Sequence, residues 1–251
     1  MRLYHGDCVE KISKIKHKID LVLVDLPYGQ TNCEWDVKID LIKMWIELKK
    51  VCKQNCIFIF FCTTKFGNEL INSNPKWFRY DLVWEKNKPI GFFNAKKQPL
   101  RIHEMIYVFS SNKKSKGLKC TYNPQQTKGK MKKEKVYSGK RTIGVYGKEY
   151  SPLHIEKAND LYYPKSILKF KKPSINTINH TQKPVDLCEW LVKSYSNEGD
   201  WILDFTMGGG STGVACINTN RKFIGIEKDK EMFLKAENRL IKNLKSKIFI
   251  K

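Results

Sequence analysis

Short apolar runs that alternate with helix-like segments constrain the fold of this chain more than any other feature. Four runs have the length of buried strands, and four longer segments repeat their apolar residues at helical spacing. The runs span 21–25, 57–61, 201–204 and 223–227, and the helical segments span 41–51, 186–195, 211–217 and 230–244. Because strand and helix alternate, we predict an α/β fold with a doubly wound, mostly parallel sheet covered on both faces. Residues 80–84 and 104–109 indicate further strands, one of them an antiparallel edge.

The charge of the chain indicates the kind of partner rather than the fold. It has 47 Lys and Arg against 25 Asp and Glu, a formal net charge of +22. A field of this sign attracts polyanions, and nucleic acid is the first expectation. An anionic membrane surface and a plain bias of composition are the alternatives.

The N-terminus and the cysteines bear on the compartment. The first residues contain no apolar core of the length that a signal peptide needs, and the most apolar run, 56–62, is too short to cross a bilayer. Eight cysteines occur without a paired CxxC spacing, which favours reduced thiols over a disulfide framework or a metal site. We therefore expect a cytoplasmic protein with no membrane partner and no metal.

A basic stretch at 113–172 breaks the alternation of strands and helices. It contains 17 Lys or Arg against 4 Asp or Glu, and it shows no sustained apolar period. We predict that it is an insertion. Its six tyrosines, interleaved with the basic residues, suit phosphate contacts and stacking on bases, and a disordered, solvated linker is the alternative. These tyrosines are Tyr122, Tyr137, Tyr146, Tyr150, Tyr162 and Tyr163.

A glycine loop at 204–213 indicates a ligand site. It runs from a strand end into a helix and formally contains GxGxxG. Glu227 ends the next strand, near the sequence spacing from this loop at which a ribose-binding carboxylate is expected. Asp204 would repel a pyrophosphate but would suit a ligand with an ammonium and a sulfonium group, so S-adenosylmethionine is favoured over NAD. A turn that needs glycine only for its backbone angles is the alternative.

A second loop, Asp25-Leu26-Pro27-Tyr28-Gly29, leads to a family resemblance. It resembles the Asp-Pro-Pro-Tyr signature of DNA amino-methyltransferases, and the 208–213 loop is similar to their S-adenosylmethionine loop. Segments 5–7, 101–104 and 180–184 are similar to further elements of that family, in the order of its permuted β group. The chain departs from the pattern at Leu26 and Phe205, where the family usually has proline.

The resemblance implies a methyltransferase (Rossmann-like) sheet with an inserted basic target-recognition region. Residues 1–112 would be the catalytic half, 113–172 the recognition insertion and 173–251 the cofactor-binding half. The Asp25 carboxylate and the carbonyl of Leu26 would accept hydrogen bonds from the target amino group, with Pro27 in the same loop and Tyr28 stacked on the flipped base. The expected contacts to S-adenosyl-L-methionine are Asp7, Gln182, Lys183, Asp204, Thr206, Gly208, Gly210, Ser211, Thr212 and Glu227.

The function that the resemblance implies is methyl transfer to N6 of adenine in a specific sequence of double-stranded DNA, as in restriction-modification systems. N4 of cytosine is the nearest alternative, since the same acceptors serve either amino group. RNA or a protein glutamine amide is a different substrate class, and the basic insertion argues against protein. The two missing prolines keep open a catalytically inactive DNA-binding homologue. The family contains monomers and dimers, so a homodimer is one expected assembly.

Overall fold

The computed structural model describes residues 1–30, 36–111, 120–141, 149–173 and 182–249 and divides the chain into two units. The larger unit contains Met1–Asn123 and Ser166–Lys251, and the smaller unit is Pro124–Lys165. The smaller unit is shorter than the predicted 113–172 insertion, because residues 167–169 form a strand of the larger sheet.

Ten strands and six helices are described. The strands are β1 (Arg2–His5), β2 (Ile19–Asp25), β3 (Cys52–Cys62), β4 (Phe78–Ile90), β5 (Arg101–Ser110), β6 (Thr127–Arg141), β7 (Glu149–Tyr162), β8 (Ile167–Lys169), β9 (Trp201–Asp204) and β10 (Lys222–Glu227). The helices are α1 (Cys8–Ile12), α2 (Leu41–Val51), α3 (Thr64–Ser73), α4 (Val185–Tyr195), α5 (Ser211–Asn218) and α6 (Lys230–Phe249), with a 3₁₀ turn at Phe92–Asn94. Among these described helices none is long and apolar enough to cross a membrane.

The sheet of the larger unit confirms the predicted α/β class. Its order is β1-β10-β9-β2-β3-β5-β4-β8, and the first five strands in this order are parallel. The strand order reverses between β2 and β9, which pair directly through Leu21 with Ile202 and Val22 with Leu203. In open α/β sheets ligands bind beyond the carboxyl ends of the strands at such a switch point. Asp25 and Asp204 end these two strands.

The alternation of side chains along β2 divides the core into two layers. Leu21 and Leu23 pack on one face of the sheet with residues of α4, α5 and α6. Val22 and Val24 pack on the other face with residues of α1, α2 and α3. Since both faces of β2 are buried, its apolar run is continuous, as expected for an internal parallel strand.

The antiparallel strands lie elsewhere than expected. β5 is antiparallel to both β3 and β4 and lies between them, so it is an internal strand. The outer strand is β8, which is parallel to β4. The prediction of an antiparallel edge was therefore wrong, because β8 has only three residues and gives no apolar run in the sequence.

The smaller unit contains an antiparallel pair, β6 with β7, where the sequence predicted no regular element. The pairing has three register shifts. A two-stranded ribbon is held mainly by backbone hydrogen bonds, so it needs no apolar period, and this explains why the pattern gave no strand signal. Tyr162 Oη donates to the carbonyl of Lys130 within this unit at 3.0 Å. Tyr146 lies outside the described residues.

Candidate active site

A cleft of about 1340 Å³ opens at the carboxyl ends of β1, β2, β9 and β10. Almost every residue that the sequence predicted for the site lines this cleft. The exception is Gly210, whose φ of 76° and whose position against Leu240 and Ala236 assign it to the turn that begins α5. The predicted residues that line the cleft are Asp7, Asp25, Leu26, Pro27, Tyr28, Gln182, Lys183, Asp204, Thr206, Gly208, Ser211, Thr212 and Glu227. His180 and Thr181 lie outside the described residues.

The loop after β2 holds a carboxylate and a phenol in contact. Tyr28 Oη donates to Asp25 Oδ1 at 2.7 Å, and the Tyr28 ring packs against Phe66 with centroids 5.2 Å apart. The carboxylate of Asp36 accepts the backbone N–H groups of Gly29 and Gln30, each at 2.8 Å. The Asp25 side chain keeps 31% of its surface exposed, so a ligand in the cleft can reach it.

The two positions where the family pattern has proline are filled by buried apolar side chains. Leu26 is 3% exposed and Phe205 is 1% exposed, and both belong to the core layer that covers one face of β2. A proline would fix the backbone through its ring. Here core packing anchors the same two positions, and this replaces part of the lost rigidity.

A hydroxyl group ties the ends of β2 and β9 together. Thr206 Oγ1 donates to the backbone carbonyl of Asp25 at 2.9 Å, and the Thr206 N–H donates to Asp204 Oδ1 at 3.2 Å. Thr206 and Asp25 are 181 residues apart in the sequence, and their hydrogen bond joins the two loops.

Four charged side chains form a buried ion cluster on the floor of the cleft, which we define as Asp25, Lys86, Glu104 and Lys183. Lys183 Nζ lies 2.5 Å from Asp25 Oδ2 and 3.0 Å from Glu104 Oε1, and Lys86 Nζ lies 2.8 Å from Glu104 Oε2. Except for Asp25, each side chain of the cluster is about one-tenth exposed. The resemblance predicts a cofactor contact for Lys183, whereas the structure places its ammonium group between two carboxylates.

The members of the cluster have pKa values that shift in different directions. Burial raises the pKa of Asp25 above its usual value, although the charge of Lys183 opposes this. Burial would also raise the pKa of Glu104, but Lys183 and Lys86 outweigh it and lower that pKa. Burial alone would lower the pKa of Lys183, yet the two carboxylates raise it. Lys183 is therefore a permanent cation beside Asp25.

Sequence reasoning missed Lys86 and the ion pairs of this cluster. Its members lie at positions 25, 86, 104 and 183, on different elements, and no spacing rule connects them. Only the paired strands β4 and β5, which bring Trp84 opposite Glu104, place Lys86 near that carboxylate.

The opposite wall of the cleft presents a carboxylate held by backbone donors. Glu227 Oε2 accepts the N–H of Gly208 and Oε1 accepts the N–H of Asp229, each at 2.9 Å. Asp7 lies beside it on the loop after β1, where its carboxylate accepts the N–H of Val9 at 2.9 Å and caps α1.

Asp204 differs from Asp25 and Glu104 because no cation of the described residues lies beside it. It is 4% exposed and forms no ion pair with the described part of the chain. Burial raises its pKa to about 7, against hydrogen bonds from Thr212 and from the Thr206 N–H. Nearby, Ser211 Oγ is buried without a hydrogen-bond partner among the described residues. A ligand with an ammonium group and further polar atoms would satisfy this wall.

Comparison with known proteins identifies the family. A family model for DNA methylases that modify N6 or N4 matches residues 19–238, so the chain belongs to the N6/N4 DNA methylase family. The type II methyltransferase M1.MboII of Moraxella bovis is 24% identical over 92% of each chain. By its family, this chain is therefore an S-adenosylmethionine-dependent DNA methyltransferase.

Two solved structures share the fold. The crystal structure of the M1.HpyAVI–SAM complex aligns with a TM-score of 0.63 at 24% identity, covering 95% of this chain and 99% of that chain. The PvuII DNA methyltransferase, which is cytosine-N4-specific, aligns with a TM-score of 0.61 at 13% identity, covering 97% of this chain and 90% of that chain. At these identities the likeness concerns the fold.

Among the described residues no group of three or more His, Cys, Asp or Glu side chains could hold a metal ion. The residues of the wall around Asp204 fit S-adenosylmethionine by their chemistry. The Ser211 hydroxyl, which has no hydrogen-bond partner among the described residues, fits a polar group of the cofactor, and the Asp204 carboxylate, which has only neutral donors, fits its ammonium group. Glu227, fixed by the Gly208 N–H, offers acceptor oxygens of the type that bind a ribose.

Proposed function

We propose that this enzyme methylates N6 of adenine in double-stranded DNA. The observation that carries the proposal is the position of Asp25, whose partly exposed carboxylate lies at the switch point of the sheet and is tied through Thr206 to the loop after β9. The target amino group and the methyl donor would meet between these two strand ends.

The chemistry of an exocyclic amino group explains why an acceptor is needed there. The lone pair of adenine N6 is delocalised into the ring, so the nitrogen is a poor nucleophile. Acceptors placed around the amino hydrogens oppose this delocalisation and stabilise the positive charge that develops on the nitrogen. We assign this role to the Asp25 carboxylate and the Leu26 carbonyl, with Pro27 shaping the loop.

Lys183 fits a positioning role beside Asp25. Its ammonium group holds Asp25 Oδ2 at 2.5 Å and favours the ionised form of a carboxylate that burial would otherwise neutralise. Tyr28 Oη holds the other oxygen. Each oxygen retains a lone pair for the substrate, since an ionised carboxylate accepts about four hydrogen bonds.

The wall around Asp204 is the proposed cofactor site. S-adenosylmethionine, when bound, supplies a methyl group already activated on a sulfonium. We assign Asp204 to its ammonium group, Glu227 to its ribose, and Asp7 to the neighbourhood of its adenine. The other residues that we assign to the cofactor site line the same cleft and are Gln182, Thr206, Gly208, Ser211 and Thr212.

Tyr28 is the proposed platform for the extruded base. Extruding a base costs a few kcal/mol, which stacking and backbone contacts must offset. The Tyr28 ring is already fixed by Phe66 on one side and by its hydrogen bond to Asp25, so little side-chain entropy is lost on stacking.

Nucleoside mass spectrometry of DNA from cells that express the chain tests the proposal. We expect N6-methyladenine with the unaltered chain and none with Asp25→Ala. Lys193→Ala, which removes a surface ion pair on α4, is the matched control and should leave the signal intact. Detection of N4-methylcytosine in place of N6-methyladenine would show that cytosine is the substrate. Binding of S-adenosylmethionine without any methylated base would indicate an inactive DNA-binding homologue.

A further inference from the structure

The hairpin between β4 and β5 carries at its tip two phenylalanines that are exposed to solvent. Phe93 is completely exposed and Phe92 is 69% exposed. Gly91 begins the tip with a φ of 92°, and the N–H groups of Asn94 and Ala95 donate to the carbonyls of Gly91 and Phe92 at 2.9 and 3.0 Å. The tip is therefore an ordered turn that holds both rings outward.

The fold does not account for these two rings. Burying a phenyl ring is among the larger favourable contributions to folding, and neither ring obtains it here. Within the described ranges neither ring packs against another aromatic ring. Polar residues would form the same turn, so the side chains are suited to a contact outside the larger unit.

The charge around the tip selects the kind of partner. Lys88, Lys96 and Lys97 flank the two rings, and none of them forms an ion pair with the described residues. Arg101, at the base of the hairpin, has a buried Nη2 atom without an acceptor in the same part of the chain. Aromatic rings interleaved with free cations fit a polyanion that has flat apolar faces, which is the chemistry of DNA.

The hairpin also lies at the proposed site of reaction. Ile90, Arg101 and His103, on the two strands that lead to the tip, line the same cleft as Asp25. A base that leaves the duplex exposes the apolar faces of its two neighbours. Proteins that open or kink DNA often cover such faces with inserted apolar side chains.

We propose that the β4–β5 hairpin tip is a DNA-contacting element. Phe92 and Phe93 stack on the bases that become exposed when the target base is extruded, and Lys96 and Lys97 contact phosphates on either side. This inference rests on the proposed base extrusion. It gives the enzyme a contact with DNA that neither the glycine loop nor the Asp25 loop provides.

Methylation kinetics of a double variant, Phe92→Ala/Phe93→Ala, test the stacking. The substrate is long unmethylated double-stranded DNA of mixed sequence with labelled S-adenosylmethionine. We expect kcat/KM for DNA to fall about tenfold for each stacked ring that is lost. The affinity for S-adenosylmethionine and Tm should stay unchanged, and Phe92→Trp/Phe93→Trp should retain most of the rate. Ile248→Ala is the control, because Ile248 is also exposed but lies far from the hairpin. Its neighbour Lys247 donates a hydrogen bond to Asn220, towards the opposite edge of the sheet.

Two outcomes separate failure of the hairpin from failure of the proposed function. An unaltered chain that methylates no DNA would remove the function, whereas a double variant that methylates at the unaltered rate would remove only the hairpin contact. A double variant that turns a dimer into a monomer in sedimentation, with the rate per subunit unchanged, would overturn the DNA contact in favour of a second copy of the chain.

Fluorescence and salt provide an independent readout. The emission of Phe93→Trp, compared with the unaltered chain, should be quenched when DNA is added, while that of Ile248→Trp should not. Lys96→Gln/Lys97→Gln should lower the slope of log affinity against log salt by about 2, one for each lost phosphate contact. An unchanged emission together with an unchanged slope would refute the proposal.

Discussion

The ends of β2 and β9 lie side by side and both carry an aspartate, yet the two carboxylates have opposite surroundings. Asp25 is partly exposed to the cleft and has Lys183 and Tyr28 as permanent partners. Asp204 is almost fully buried and has only neutral hydrogen-bond donors, so its pKa rises to about 7. The chain thus supplies the counter-ion of one carboxylate and leaves the other to be completed by a ligand. Under the proposed function, this difference would assign one side of the cleft to the methyl acceptor and the other to the methyl donor.

Removing the built-in counter-ion should have the largest effect on this contrast. Lys183→Met leaves Asp25 without its cation and Glu104 with only Lys86, so we expect the free energy of unfolding to fall by about 3–5 kcal/mol. Because Lys183 lowers the pKa of Asp25, its loss should also move the acid limb of the methylation pH profile to higher pH. Denaturant titration and initial rates between pH 5 and 9 measure the two effects.

The control for that variant is Lys193→Met on α4, the helix that begins two residues after Lys183. Its ion pair with Glu189 spans 3.6 Å at the surface, and its loss should change stability by less than about 1 kcal/mol. If Lys183→Met and Lys193→Met gave the same pH profile, Lys183 would have no role in the ionisation of Asp25.

The missing counter-ion of Asp204 predicts a pH effect on cofactor binding. The raised pKa means that this carboxyl group is ionised above about pH 7 and neutral below it. The ammonium group of S-adenosylmethionine needs the ionised form, so the affinity should fall several-fold as the pH drops from 8 to 6, although the cofactor's own amino group, with a pKa of about 8, gains its proton in the same range. Isothermal titration calorimetry measures it, and Asp204→Asn should show a lower affinity that no longer falls as the pH drops. A steep dependence that persisted in Asp204→Asn would assign the titration to another group.

The link between the two strand ends should have the smallest effect. Thr206→Val removes the hydroxyl that donates to the Asp25 carbonyl but keeps the shape of the side chain. One neutral hydrogen bond contributes about 1 kcal/mol, so we expect a loss of that size in stability and a several-fold lower methylation rate. Thr206→Ser should restore the rate. A rate that stayed at the unaltered level in Thr206→Val would show that the tie is not needed to align the strand ends.

The sequence predicted four of the five parallel strands, because β2, β3, β9 and β10 each leave a strong local signal. β2 has a continuous apolar run that is buried on both faces, and α2, whose apolar residues recur at helical spacing, begins and ends where the pattern predicts. The short elements β1, α1 and β8, with four, five and three residues, show no clear period and were missed. The ten-residue helix α3 was missed as well. The long ribbon β6–β7 was missed for another reason, since its lysine-rich strands pair through the backbone.

The site was predictable to the extent that it follows from strand ends and loops. Asp25, Asp204 and Glu227 each end a strand, and the topology of the sheet gathers them in one cleft. The ion pairs of Lys183 with Asp25 and Glu104 depend on side-chain directions across three elements, which no spacing in the sequence encodes. The exposure of Phe92 and Phe93 was equally hidden, since an apolar pair in a sequence gives no sign of facing solvent.

The separation of tasks between the two strand ends can be tested by measuring cofactor affinity and DNA methylation on the same two purified variants. Asp25→Asn should bind S-adenosylmethionine as tightly as the unaltered chain and lose methylation by about a hundred- to a thousandfold in single turnover. Asp204→Asn should lose cofactor affinity, and saturating cofactor should restore most of its rate. If Asp25→Asn lost the cofactor instead, or Asp204→Asn bound it normally, the two carboxylates would not divide the site as their surroundings indicate.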